Sequence, residues 1–202
     1  MAKKEHLNYF GDGEKGSINS LKDGRTSFLT PVVKFLVGMH VTANMVSYFG
    51  FLLVFGFIYF FNKNWIAASL FLLFHVLIDG LDGPIARYTK TASDSGAFTD
   101  IVCDTVGIII VTGVLVYYGP VDGLVGLVYS SLYLILIIFA VSRNILKIPA
   151  KFVFRSKYYI YLLYLPWAIY RINYFNLAMI IFSAIMFISV IHDFFRIKKI
   201  LK

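Results

Sequence analysis

A single cysteine, Cys103, stands in the whole 202-residue chain, so neither an internal disulfide nor a cysteine-built metal cluster can form. Acid is scarce too: Asp and Glu number 11 against 19 Lys and Arg, a net charge of +8. No internal repeat or low-complexity tract is present, and no Ser/His/Asp or Cys/His grouping points to a covalent nucleophile. Residues 1–20 are polar, with Gly11, Gly13 and Gly16, and lack the apolar centre of a secretory signal; they read as a mobile cytosolic tail.

What fills the chain instead is apolar. Hydrophobic residues make up 59% of it, where roughly 45–50% is usual for a soluble domain. Runs near the length of about 20 residues that crosses a hydrocarbon core extend over Ala43 to Phe61, Trp65 to Ile85, Ala97 to Tyr118, Val121 to Val141 and Tyr174 to His192. A shorter one covers Tyr158 to Tyr170, limited by Pro166 and Arg171. The pattern predicts an all-α, polytopic bundle of about six transmembrane helices as one domain over 41–202. Residues 21–40 mix Phe28, Leu29, Val32, Val33, Phe35 and Leu36 with Lys22, Arg25 and Lys34, which fits an amphipathic juxtamembrane helix, started by Thr30-Pro31.

The positive charge is placed for a membrane and not for nucleic acid. Lys and Arg gather before the first run, at Arg87 and Lys90, over Arg143, Lys147, Lys151, Arg155 and Lys157, and at the C-terminus. The alternate connections hold only Lys63, nothing in Gly119 to Asp122, and Arg171. This alternation predicts a multi-pass protein of the cytoplasmic membrane with both termini cytoplasmic. Trp65, Tyr117, Tyr118 and Trp167 fall near the expected interfaces.

Five of the 11 acids crowd into Leu77 to Asp104. A charged group inside a membrane segment costs about 2.5–3.5 kcal/mol on insertion scales, so such residues are functional candidates. On a continuous helix Asp79, Asp82, Gly83 and Ala86 share one face, and Gly96, Asp100 and Asp104 share another on the next helix. A short turn from Arg87 to Ser95 sets the two antiparallel, with the carboxylate pairs facing. Such a cluster repels itself unless a cation sits within it, and hard divalent ions take oxygen ligands. A two-ion site for Mg²⁺ or Mn²⁺ is the economical reading. Gly83, Ala86 and Gly96 leave room beside it, and Arg87 is placed for a phosphate.

Asp79-x2-Asp82-Gly83-x2-Ala86-Arg87-x8-Gly96-x3-Asp100-x3-Asp104 is similar to the signature of the CDP-alcohol phosphotransferases, with all eight positions filled across 26 residues. Outside it, only the helix count, the amphipathic segment and Thr42-x-Asn44 resemble that family. The resemblance implies transfer of a substituted phosphoryl group from a CDP-alcohol, often CDP-diacylglycerol, to an acceptor hydroxyl, with release of CMP. It implies that Asp79 and Asp100 bridge two metal ions, Asp82 completes one site, and Asp104 serves the other and acts as the base. Asn44, Gly83, Ala86, Arg87, Ser93 and Gly96 would line the CDP-alcohol pocket. A homodimer is likewise implied.

Other residues keep two readings. Arg143 and Arg155 are candidates for an anionic acceptor, although membrane topology alone accounts for them. A basic pocket would suit glycerol 3-phosphate or inositol phosphate; inositol or serine would need less charge. His75 either packs or orients Asp79, Asp94 reads as turn or cap chemistry, Asp122 and Asp193 as interfacial, and Cys103 as packing. Two rival functions use similar parts. An intramembrane prenyltransferase would separate its aspartate motifs more widely, and a divalent-cation transporter would distribute acids along a path.

Overall fold

The computed structural model describes residues 29–148 and 155–201. The tail 1–20, positions 21–28 of the amphipathic segment and Lys151 lie outside the described residues. Within them the chain is helical, without a strand. A short helix α1, Leu29–Gly38, precedes α2 (Ala43–Phe60), α3 (Trp65–Asp79), α4 (Asp82–Tyr88), α5 (Asp94–Tyr117), α6 (Gly123–Ile145), α7 (Lys157–Tyr170) and α8 (Phe175–Ile200).

Side-chain caps set several starts: Thr42 Oγ1 accepts from Met45 N–H at 3.3 Å, Asn64 Oδ1 from Ile66 and Ala67 at 3.0 and 3.1 Å, and Ser93 Oγ from Gly96 at 3.1 Å. The Ser93 cap begins α5 at Asp94, earlier than the apolar run suggests, and places Asp94 in the first turn. At their other ends α6 and α8 continue to Ile145 and Ile200, past Val141 and His192, because polar residues tolerate a helix once it leaves the apolar layer.

The second run is not one helix. Its ladder breaks at Gly80–Leu81, between Asp79 and Asp82. Pro84 explains the position: it has no N–H to offer the carbonyl of residue 80, and its ring crowds that carbonyl. The break is buttressed by α1, where Val33 is buried with Val46 of α2 and Ile85 of α4, and Ile78 and Leu81 pack around them. Of the expected amphipathic segment 21–40, the described part is helical over Leu29–Gly38.

Five units, α2, α3–α4, α5, α6 and α8, are long and apolar enough to cross a membrane. At 14 residues α7 is shorter, about 21 Å of helix. It spans from the depth of Asp79 and Asp104 toward the α5–α6 turn. Lys157 at its start meets Asp79 and Asp104, whereas beyond its end Asn173 bonds the Pro120 carbonyl at 2.7 Å and Asn176 bonds Asp122 at 2.8 Å, at the α5–α6 turn. Large apolar side chains such as Leu52, Leu124 and Ile188 face outward, as lipid contact requires.

The core is built from stripes at helical spacing: Val46, Gly50, Val54 and Phe57 on α2, Ala68, Leu72 and His75 on α3, and Tyr129, Tyr133, Leu136 and Ala140 on α6. Gly56 lets α2 and α3 approach; a Cβ there would press into the Phe71 ring, itself stacked on Phe60 at 5.5 Å. Gly56→Ala should therefore lower stability in detergent by about 1–3 kcal/mol through overpacking. Gly113→Ala, whose Cβ would meet nothing within 4 Å, is the control and should cost nothing; equal melting temperatures for the two variants would refute the close approach.

Candidate metal and phosphate site

Each charged residue of the bundle interior extends the buried stripe of its own helix. Asp79 follows Ala68, Leu72 and His75; Asp104 sits in line with Ile101, Ile108, Val111 and Leu115; Lys157 leads Tyr161, Tyr164 and Ala168. Arg143 ends the α6 stripe, and Asp193 follows Met186 and Val190 on α8. All five therefore face inward and meet at one end of the molecule. By helix rise Asp100 and Asp104 lie roughly 9–15 Å below the start of α5.

Carboxylate oxygens of Asp79, Asp100 and Asp104 lie within 4.8 Å of one another. The hairpin pairs them across: the Asp79 carboxyl is in hydrogen-bonding reach of Asp104, and that of Asp82 in reach of Asp100. Two facing pairs were expected, but the break at Gly80–Leu81 alters how they form. Asp82 opens α4, and its Oδ1 accepts from the Gly83 N–H at 2.5 Å, so it stands outside the three-residue group.

Room beside the carboxylates is measurable. A Cβ on Gly83 would lie 3.1 Å from Arg87 Nη1, so the guanidinium folds over a bare backbone. One on Gly96 would lie 3.3 Å from Ser93 Oγ and 3.4 Å from Asn44 Oδ1, which brings Asn44 to the start of α5. Ser93 thus spends its hydroxyl on the helix cap, and Ala86 sits half-buried on α4.

Two residues absent from the sequence-derived set complete the cluster. Lys157, 1% exposed, sends its ammonium to Asp79 Oδ2 at 3.1 Å and to Asp104 Oδ2. Tyr158 donates its hydroxyl to Asp79 Oδ2 at 2.8 Å. Lys157 was submerged in the count of basic loop residues, yet it is the last base before an apolar run and in step with Tyr161 and Tyr164. Its entry is fixed from behind, because the fully buried Ser156 hydroxyl bonds Tyr129 OH at 2.7 Å and rests against Met186 Sδ.

His75 packs edge-on against Tyr161, with Nδ1 at 2.8 Å from the Gly50 carbonyl; its Nε2 has no partner among the described residues. Asp193, expected near an interface, is turned into the bundle. It is 2% exposed and accepts from Arg143 Nη1 at 2.9 Å, which ties α6 to α8. Arg143 is thereby committed to a carboxylate inside the bundle, while Arg155 stands half-buried just ahead of α7.

An all-helical polytopic bundle whose buried charges, among the described residues, gather toward one end, with three carboxylates brought together on a helix hairpin, is the class this architecture defines. The chain belongs to the CDP-alcohol phosphatidyltransferase family, whose model matches residues 40–194. A protein of Aquifex aeolicus (strain VF5), itself described as uncharacterized, is 35% identical over 85 residues, 42% of this chain and 43% of that one. The chain thus spans under half the length of that relative.

Removing one member of the Arg143–Asp193 pair leaves the other buried and uncompensated, so Arg143→Met should cost about 3–5 kcal/mol. Combining it with Asp193→Leu should restore most of the loss. Thermal unfolding of the single and double variants checks this, and a double variant no more stable than the single one would show that Arg143 has a stronger tie elsewhere.

Proposed function

We propose that the protein transfers a phosphatidyl group from a CDP-alcohol, CDP-diacylglycerol foremost, to the hydroxyl of a small polar acceptor and releases CMP. The observation that carries this is the gathering of Asp79, Asp100 and Asp104 within 4.8 Å on a helix hairpin whose Gly83 and Gly96 lie under the polar side chains of Arg87, Ser93 and Asn44. The donor set fits Mg²⁺ or Mn²⁺: carboxylate oxygens only, already satisfied in part by a cation, the Lys157 ammonium. Asp79, Asp100 and Asp104 would hold two ions with Asp82, which, when bound, neutralise the diphosphate and stabilise CMP as it leaves.

The chain's own groups supply the rest. Arg87 donates to a donor phosphate from above Gly83, and Asn44, beside Gly96, contributes an amide at the same mouth, with Ala86 and Ser93 completing the lining. Asp104 accepts the proton of the acceptor hydroxyl as that oxygen bonds to the β-phosphorus and the bond from that phosphorus to the CMP oxygen breaks. An anionic acceptor of the glycerol 3-phosphate or inositol phosphate kind would be met at the basic end that carries Arg143 and Arg155. Inositol or serine would need no such partner.

The bundle end that holds the site also carries Arg87, Lys90, Arg143, Lys147 and Arg155, while Lys63 and Arg171 lie at the other. That distribution supports a cytoplasmic-facing site in the cytoplasmic membrane with both termini inside. A homodimer is part of the same reading.

The test is purified protein with Mg²⁺ or Mn²⁺, CDP-diacylglycerol and a panel of acceptors, following CMP. Release with at least one acceptor is expected; metal flux without CMP would sink the reading. Asp104→Asn should lower turnover by about 10³-fold through loss of the base, while donor binding changes little. Asp79→Asn should lose both. Equal loss of donor binding in the two variants would contradict this division of roles.

A further inference from the structure

Lys157 is buried to 1% exposure, and its ammonium reaches carboxylate oxygens from two helices, Asp79 Oδ2 and Asp104 Oδ2. Those two residues also belong to the group whose oxygens lie within 4.8 Å. A lysine at this depth normally directs its ammonium out to the interface. Here the side chain leads the buried stripe of α7, and Ser156, held by Tyr129 and Met186, fixes where that stripe begins. The lysine's place in the cluster follows from the packing of α6, α7 and α8.

We propose that Lys157 is a built-in cation that competes with a divalent metal ion for Asp79 and Asp104, and so acts as a positioning residue of the metal-free site. The inference rests on the reading of this cluster as a divalent-metal site. Without metal the ammonium holds α3 and α5 together against carboxylate repulsion. Metal loading is an exchange: the ammonium leaves its two oxygens and a divalent ion takes them. Tyr158, bonded to the same Asp79 oxygen at 2.8 Å, must also yield or rearrange. The measured metal affinity is then the intrinsic one reduced by the fraction of molecules in which the lysine has withdrawn.

The experiment uses the full chain in detergent, freed of metal by chelation, with Mn²⁺ as the probe. Lys157→Met should bind Mn²⁺ at least about tenfold more tightly than wild type by calorimetry, since it no longer competes. Its metal-free melting temperature should fall and its gain on saturation with Mn²⁺ should exceed that of wild type. A second measurement needs no variant: acetylation of Lys157 in the wild-type protein, read by peptide mass spectrometry, should rise severalfold on adding Mn²⁺ while that of Lys63 stays constant. Unchanged or weaker Mn²⁺ binding by Lys157→Met, or unchanged acetylation at saturating Mn²⁺, overturns the exchange and leaves the metal site standing. No Mn²⁺ binding to either protein overturns the metal-site reading and the exchange with it.

Discussion

Carboxylates cannot stay charged among apolar helices unless a cation lies beside them, and this single requirement organises one end of the molecule. Asp79 and Asp104 come from α3 and α5, and the charge that compensates them comes from α7. Arg143 and Asp193 answer the same requirement between α6 and α8. Three ion pairs in two groups thus tie α3, α5 and α7 together and α6 to α8, at the end where the chain is richest in base. The opposite end is closed by aromatic packing, with Phe61 stacked on Tyr118 at 4.7 Å and on Trp167 at 5.4 Å. The division of labour suits a membrane enzyme. The buried charge lies toward one end and the apolar, aromatic packing toward the other.

The site owes its shape to local interruptions of helical regularity. Pro84 prevents α3 and α4 from forming one rod, so Asp82 opens a new helix instead of continuing the face of Asp79. The buried contact of α1 at Val33 and Ile85 stiffens that break from outside. On the facing helix the Ser93 cap decides where α5 starts, and thereby the depth at which Asp100 and Asp104 lie. Gly83 and Gly96 then let Arg87, Ser93 and Asn44 lie close against the backbone beside the carboxylates.

Much of this was legible in the order of residues. The helical membrane class follows from run lengths and composition, and the aspartate spacing singled out a facing hairpin before any coordinates. Family membership over residues 40–194 agrees with both. What went unread has physical reasons. Lys157 sits at a loop boundary, where a basic residue is explained by topology alone. Asp193 sits near the end of the last run, where a polar residue looks interfacial. Their common signal was the stripe: each falls in step with the buried residues of its own helix.

The sequence by itself determined which helices form, which face of each is apolar, and that four carboxylates would share one hairpin, because periodicity and burial energy act along the chain. Only the tertiary structure decided which charges meet. Lys157 lies 78 residues along the chain from Asp79, and Arg143 lies 50 from Asp193, and no local propensity links positions so separated. Those pairs form because helices packed side by side bring the ends of their buried stripes to one depth, where an uncompensated charge would be too costly to keep.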